Sequence, residues 1–517
     1  MSEQYILTLD LGTQSARAII IDKHGNLLAK EQRKYKPAYE SPKKGYCEQD
    51  PKVYFNYLSD ASKMLATTRP DLMKNVAGVV LTTFRDTQVL LDENNNVLRP
   101  SILWLDQRVA TYLPKIPFWK KALFRIVGMT PVIKSNQLKS AAHWIKGSEP
   151  EVWAKMKRYL NISTYFNFLL TNEFKDTVSN LTGHFPIDYK NGIYYSRFNL
   201  KRGLFDIPYS ACCELIKPNE VIGYITKEAS EITGIPEGLP LFGSGSDKSC
   251  ESLGNGCIDP TTASISYGTA STVAITSNRY VEPSPFMPSY MAVQRGHYNS
   301  ELQIYRGYWM LNWFKNEFCK SESLEADILH LTTLDVLNRK MLEIGPGSDG
   351  LVLQPYWGPS LERPNSRGAI IGFSEKHTRL HLYRAIIEGI AYCLREGKEQ
   401  IERKEGRKVE YIVISGGGAT SNAICQITAD IFNTPVVKTH TVEASSLGAA
   451  ICGFISLGVY KDEKEAKEHM IRYVERFEPI KENAEKYNEL YKKVYVKMFG
   501  KLKGLYSSLR EFTNEKF

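Results

Sequence analysis

A short hairpin that occurs twice constrains this chain more than any other feature. Near its start, Tyr5 to Asp22 reads YILTLDLGTQSARAIIID, and far downstream Ala263 to Thr276 reads ASISYGTASTVAIT. Each time an apolar, strand-like run enters a Gly-Thr-x-Ser turn and a second apolar run leaves it. The turns are Gly12, Thr13, Gln14, Ser15 and Gly268, Thr269, Ala270, Ser271. Glycine lets backbone amides approach an anion, and Thr and Ser hydroxyls donate further bonds. A single copy is also what an ordinary hairpin needs, with glycine for a positive φ and Thr or Ser for local turn bonds. Two copies suggest two similar halves able to hold a polyphosphate between them.

At 517 residues the chain exceeds one ordinary core, so two domains are expected. A boundary falls between Gly254 and Pro260, giving residues 1–254 and 255–517. The formal charge of +9 comes from 66 basic and 57 acidic residues interleaved along the chain. That reads as a solvated lysine-rich surface with no nucleic-acid stripe, and its field favours anionic ligands. Nine scattered cysteines without a CxxC pair fit a reducing compartment and argue against a disulfide framework or zinc ribbon. No signal peptide and no run of eighteen apolar residues is visible, so the expectation is a cytoplasmic protein with no membrane partner.

Glu48-Gln49-Asp50-Pro51 predicts a helix start, with a helix through about Thr67. Val76 to Leu81 is a buried-type strand running into Thr82-Thr83-Phe84-Arg85-Asp86-Thr87. Ser101 to Arg108 (SILWLDQR) delivers Trp104, Asp106, Gln107 and Arg108. An aromatic ring beside such polar groups suits a polyhydroxyl ligand, and equally a buried Trp next to a helix cap. Residues 118 to 185 are expected to be mainly helical, as is Leu324 to Leu342. A strand near Leu241 opens onto Gly243-Ser244-Gly245-Ser246-Asp247-Lys248-Ser249, and Val409 to Ile414 feeds Ser415-Gly416-Gly417-Gly418 before a helix from Asn422 to Phe432. A C-terminal apolar stripe from Tyr487 to Leu505 predicts helices docked on the core.

There is no GxxxxGK[ST] and no GxGxxG, which leaves out P-loop and standard dinucleotide-binding sites. Two GTxS hairpins and a GGG turn instead form a different phosphate cradle split between halves. Phosphoryl transfer needs positioning, charge neutralisation, a carboxylate to take a proton and a metal on the phosphates. Asp247 is the candidate base, with a helix N-cap as its structural alternative. Asp10, two residues before Gly12, is the candidate partner for Mg²⁺, through water.

The segments DLGTQSARA, GSGSDK, SYGTAS and SGGGATSNAICQITADI together resemble the FGGY carbohydrate kinases. Gly368 to Glu388 (GAIIGFSEKHTRLHLYRAIIE) is similar to that family's C-terminal signature at Gly372, His381-Leu382 and Ala385 through Glu388, with Phe373 a departure. The resemblance implies an α/β fold of two ribonuclease H-like, actin-like domains with ATP and Mg²⁺ in the cleft between them. It implies phosphorylation of a hydroxyl of a small sugar or polyol, either a ketopentose such as xylulose or ribulose or a glycerol-like polyol. The alternative reading, from another class, is a non-catalytic actin-like nucleotide- and sugar-binding regulatory protein; under either reading the chain is compatible with a homodimer.

By the same resemblance, Thr13, Gln14, Ser15 and Arg17 face the terminal phosphates, and Gly268 and Thr269 form the second phosphate site. Gly417, Gly418 and Asn422 face the adenosine, Asp247 is the base and Asp10 lies near the metal. Arg85, Asp86, Trp104, Asp106, Asp247 and Lys248 face the acceptor. Arg85-Asp86 aligns with an Arg-Glu pair of glycerol kinases, where xylulokinases carry Met-His. Lys248 stands where Gln or Asn is common in the family. It can depress the base's pKa, contact the acceptor or point to solvent.

Overall fold

The computed structural model describes residues 3–284, 287–358, 363 and 365–513. Two mixed sheets dominate it, and they repeat one plan. In the first, Tyr5–Leu11 and Ser15–Asp22 form the leading hairpin, Leu27–Lys34 adds antiparallel to its outer side, and Val76–Thr83 lies parallel to the leading strand. Pro240–Phe242 follows in parallel and Val221–Tyr224 closes the edge. In the second, Thr262–Tyr267, Ser271–Ser277, Tyr298–Ile304, Tyr411–Ser415, Val436–Thr439 and Tyr473–Phe477 take the same places in the same senses. This is the paired ribonuclease H-like, actin-like architecture.

Local sequence explains the elements. Asp50 caps the helix Pro51–Thr68 by accepting from the Lys52 amide at 2.9 Å, and Pro51 opens the helix where no backbone donor is needed. Both leading hairpin strands are buried on both faces, as their unbroken apolar runs require. The long helix Arg379–Glu405 is largely buried against the second sheet. Within the signature segment, buried Glu388 accepts from Arg384 at 2.8 Å, the Tyr487 hydroxyl at 2.7 Å and Ser348 Oγ at 2.9 Å. Gly372 has φ 103°, and a Cβ there would lie 2.2 Å from the Gly350 carbonyl oxygen, so glycine is obligatory. The signature thus anchors the C-terminal helices, where Tyr487, Tyr491, Tyr495 and Met498 are buried while Leu505 faces solvent.

Residues 118–185 are mainly helical, in five short helices that end at Thr171, with the strands Arg158–Asn161 and Lys175–Thr177 among them. One expectation needs correction. Leu324 to Leu342 is two helices, because His330 takes a left-handed φ of 52° and the capping box of Thr332 and Asp335 starts the second. All nine cysteines are free and eight are buried. No helix among the described residues is long and apolar enough to cross a membrane.

The two halves meet through a pair of equivalent helices. Asp247–Gly254 follows Pro240–Phe242, and Ala444–Ser456 follows Val436–Thr439. The second helix packs Leu447, Ala450, Ile451 and Phe454 into a core with Ile6, Ile19, Ile21 and Val80 of the first sheet. Backbone touches backbone between them: a Cβ on Gly254 would lie 1.9 Å from the Ala444 carbonyl oxygen, and one on Gly448 1.9 Å from that of Cys250.

Candidate active site

A cleft of about 1010 Å³ separates the halves. Thr13, Gln14, Ser15, Arg17, Arg85, Asp86, Trp104, Asp106, Asp247, Lys248, Gly268 and Thr269 line it, so residues distant in sequence share one space.

Both hairpin turns open onto the cleft with amides to spare. The first is closed by Gly12 N–H donating to Ser15 O at 3.0 Å, and the second is braced from behind, where the Tyr308 and Trp309 amides donate to the Gly268 and Thr269 carbonyls. Among the described residues the Thr13, Gln14, Thr269 and Ala270 amides meet no backbone acceptor. Unspent amides beside glycine fit phosphate oxygens. The GGG turn lies one strand away, because Tyr411–Ser415 pairs with Thr262–Tyr267. Gly416 adopts φ 80° against the Tyr267 backbone, and Gly418 packs on the Tyr308 ring. Gly417, Gly418 and Asn422 lie outside the cleft lining; the Asn422 amide donates to Glu475 at 2.6 Å.

Asp247 is the first residue of its helix and Ser246 occupies the cap position, so the carboxylate is not spent as the cap. The turn before it is fixed to the neighbouring strand: Thr82 Oγ1 donates to the Gly245 carbonyl at 3.0 Å and Ser244 Oγ to that of Leu81 at 2.5 Å. These bonds bring Arg85, just beyond that strand, toward Asp247. Burial pushes the Asp247 carboxyl up to about 6, with Glu251 and Asp10 adding to the rise while Lys248 and Arg85 oppose it. A base with that pKa is ionised at neutral pH yet basic enough to accept a proton. Lys248 does not point to solvent. Its ammonium donates to Glu251 at 2.6 Å and to Ser266 Oγ at 3.0 Å.

The acceptor candidates divide by how much of each side chain is already engaged. Trp104 Nε1 donates to Thr13 Oγ1 at 3.1 Å, which joins the ring to the phosphate turn. Asp86 has φ 51° and accepts from Gln88, the His184 amide and the His184 ring. His184 and the other hydrogen bonds hold its carboxyl below the usual range against the cost of burial. Asp106 is consumed by structure: both oxygens accept from Arg108 at 2.8 Å, and Oδ2 also accepts from the Cys47 amide at 2.6 Å. Arg85 donates to Glu301 at 2.6 Å and lies 5.6 Å from the centre of the Tyr290 ring. Glu301, Tyr290 and His184 were not singled out in the sequence. Glu301 stands as a charged residue inside the strand Tyr298–Ile304, whereas Tyr290 and His184 lie outside that run.

Asp10 is buried on the first strand, 3.1 Å from Arg17 Nη1, and burial raises its carboxyl above the usual range. Arg17 also lies 3.5 Å from Glu443 at the start of the Ala444–Ser456 helix. Among the described residues no cluster of three or more His, Cys, Asp or Glu could hold a metal. One carboxylate behind a phosphate turn fits Mg²⁺, which takes few protein ligands and keeps its waters beside a polyphosphate.

Comparison with known proteins bears on family and fold. The N-terminal domain of the FGGY family of carbohydrate kinases matches residues 5–254 and its C-terminal domain residues 263–457. The chain is 27% identical to a xylulose kinase of Lactococcus lactis, over 94% of this chain and 95% of that protein. It is 27% identical to a gluconokinase of Bacillus subtilis, over 94% of each. The crystal structure of xylulose kinase from Rhodospirillum rubrum superposes with a TM-score of 0.82 at 26% identity, covering 98% of this chain and all of that one.

Proposed function

We propose, for a chain that belongs to the FGGY family of carbohydrate kinases and is an ATP-dependent carbohydrate kinase, that Asp247 deprotonates a hydroxyl of a small sugar or polyol in the cleft. The carrying observation is a half-buried carboxylate with a pKa of about 6 at a helix start, on one cleft lining with two phosphate-type turns. The acceptor O–H proton passes to an Asp247 oxygen as that hydroxyl oxygen bonds the γ-phosphorus of ATP. The bond from the γ-phosphorus to its bridging oxygen breaks, and ADP leaves.

Thr13, Gln14, Ser15, Arg17, Gly268 and Thr269 hold the phosphates, and Gly417, Gly418 and Asn422 border the nucleoside. Asp10 would hold Mg²⁺ through water, and the ion would supply neutralisation of charge on the phosphates. Arg85, Asp86 and Trp104 hold the acceptor. Asp106 acts one step back, by fixing Arg108 and the loop at Cys47. Lys248 keeps Asp247 ionised. Relatives named for xylulose and for gluconate support an acceptor of five or six carbons. The test is ADP release with a panel of polyols, ketopentoses and sugar acids. Acceptor-dependent turnover is expected, and turnover that no acceptor stimulates contradicts the assignment.

A further inference from the structure

The acceptor side has a second wall, contributed by the other half. Alternation along Tyr298–Ile304 sends Ser300, Leu302 and Ile304 inward: Ser300 and Ile304 are buried, and Leu302 packs against Gly397 of the long helix. Glu301, Gln303 and the following Tyr305 take the opposite face and line the cleft. Glu301 grips Arg85 at the reacting end. Tyr305 is four residues further, about 13 Å along an extended chain. Over its ring stands the ammonium of Lys139, 5.9 Å from the ring centre.

Lys139 ends the helix Thr130–Lys139 and belongs to the acceptor side, because Tyr305 neighbours Tyr290 and Tyr290 stacks on Arg85. Its side chain is exposed where it lines the cleft, no carboxylate among the described residues pairs with it, and desolvation by the surrounding protein draws its pKa below the usual lysine value. The carboxylates lining the cleft are already matched. Asp86 meets His184, Asp106 meets Arg108, Glu301 meets Arg85, and Asp247 is flanked by Lys248. Lys139 is therefore available to a ligand at that end, with Arg306 next to Tyr305 on the same lining. The long polar row between the two ends suits an extended acyclic chain better than a three-carbon polyol.

We infer that Lys139, with Gln303 and Tyr305, forms an anion subsite at the far end of the acceptor cleft, and that the acceptor is a linear sugar acid whose carboxylate meets Lys139 while its distal hydroxyl meets Asp247. This rests on the kinase assignment above. The experiment is steady-state kinetics at saturating ATP with five- and six-carbon aldonates and their neutral alditols, for the parent, Lys139→Met and Lys139→Arg. The parent is expected to favour aldonates in kcat/KM, and K139M to lose roughly tenfold more on aldonates than on alditols, carried by the acceptor KM. K139R is expected to restore most of that difference. Equal kcat/KM for acids and alditols, or a K139M defect that falls on the KM for ATP, overturns the subsite while leaving the kinase assignment standing. Failure of the parent to phosphorylate any acceptor overturns both.

Discussion

Lys248 donates to Ser266 Oγ at 3.0 Å and so pins the residue beside the base to the second hairpin. Ser266 stands two residues ahead of Gly268, where the first hairpin has Asp10 ahead of Gly12. One register position therefore holds a carboxylate facing Arg17 in one half and a hydroxyl facing an ammonium in the other. The duplicated fold supplies an asymmetric cleft, with the Asp10 carboxylate in the first half and an internal cation beside the proposed base Asp247.

That arrangement sets a pH dependence. Asp247 works ionised, so kcat/KM is predicted to fall as pH drops through about 6. Lys248 lowers this pKa, and Lys248→Gln is predicted to move the acid limb to higher pH. A pH profile of kcat/KM for parent and variant checks both. An acid limb that stays in place in K248Q would separate Lys248 from the base.

The close helix crossing makes a stability prediction. Gly254→Ala or Gly448→Ala puts a methyl group 1.9 Å from a backbone carbonyl oxygen, which neither helix can relieve by turning a side chain. Each variant is predicted to lose about 1–3 kcal/mol or more by overpacking. Denaturant unfolding would read it, and a parent-like midpoint would contradict the crossing.

Much of this fold could be read before any coordinates. Long apolar runs broken by Gly-Thr turns marked both hairpins, and Gly243 to Asp247 marked the strand-to-helix turn that carries the proposed base, because glycine and strand ends are local signals. Lys139, His184 and Glu301 were not legible. Each meets the site through packing between segments far apart in sequence, and single lysine, histidine or glutamate residues in mixed runs carry no local mark. Asp106 was visible but its engagement was not, since only the folded loop aims Arg108 at both carboxylate oxygens. Within the mainly helical stretch 118–185 the short strands Arg158–Asn161 and Lys175–Thr177 were not legible, because runs that short satisfy helix and strand periods equally.

Trp104 couples acceptor and phosphate regions through its bond to Thr13. Trp104→Phe keeps an aromatic face and removes the donor. A net loss of about 1 kcal/mol is predicted, or roughly fivefold in acceptor kcat/KM. Acceptor and ATP titrations of W104F check it, and an unchanged acceptor kcat/KM would show the bond to be idle.

The central claim is that Asp247 takes the acceptor's proton during transfer from ATP. Single-turnover formation of phosphorylated acceptor, measured with parent and Asp247→Asn at saturating ATP and acceptor, tests it most directly. Asn keeps the size and removes the base, so the rate is predicted to fall by roughly 10²- to 10⁴-fold while nucleotide binding persists. An Asp247→Asn protein that binds ATP and transfers phosphate at near the parent rate would contradict the account.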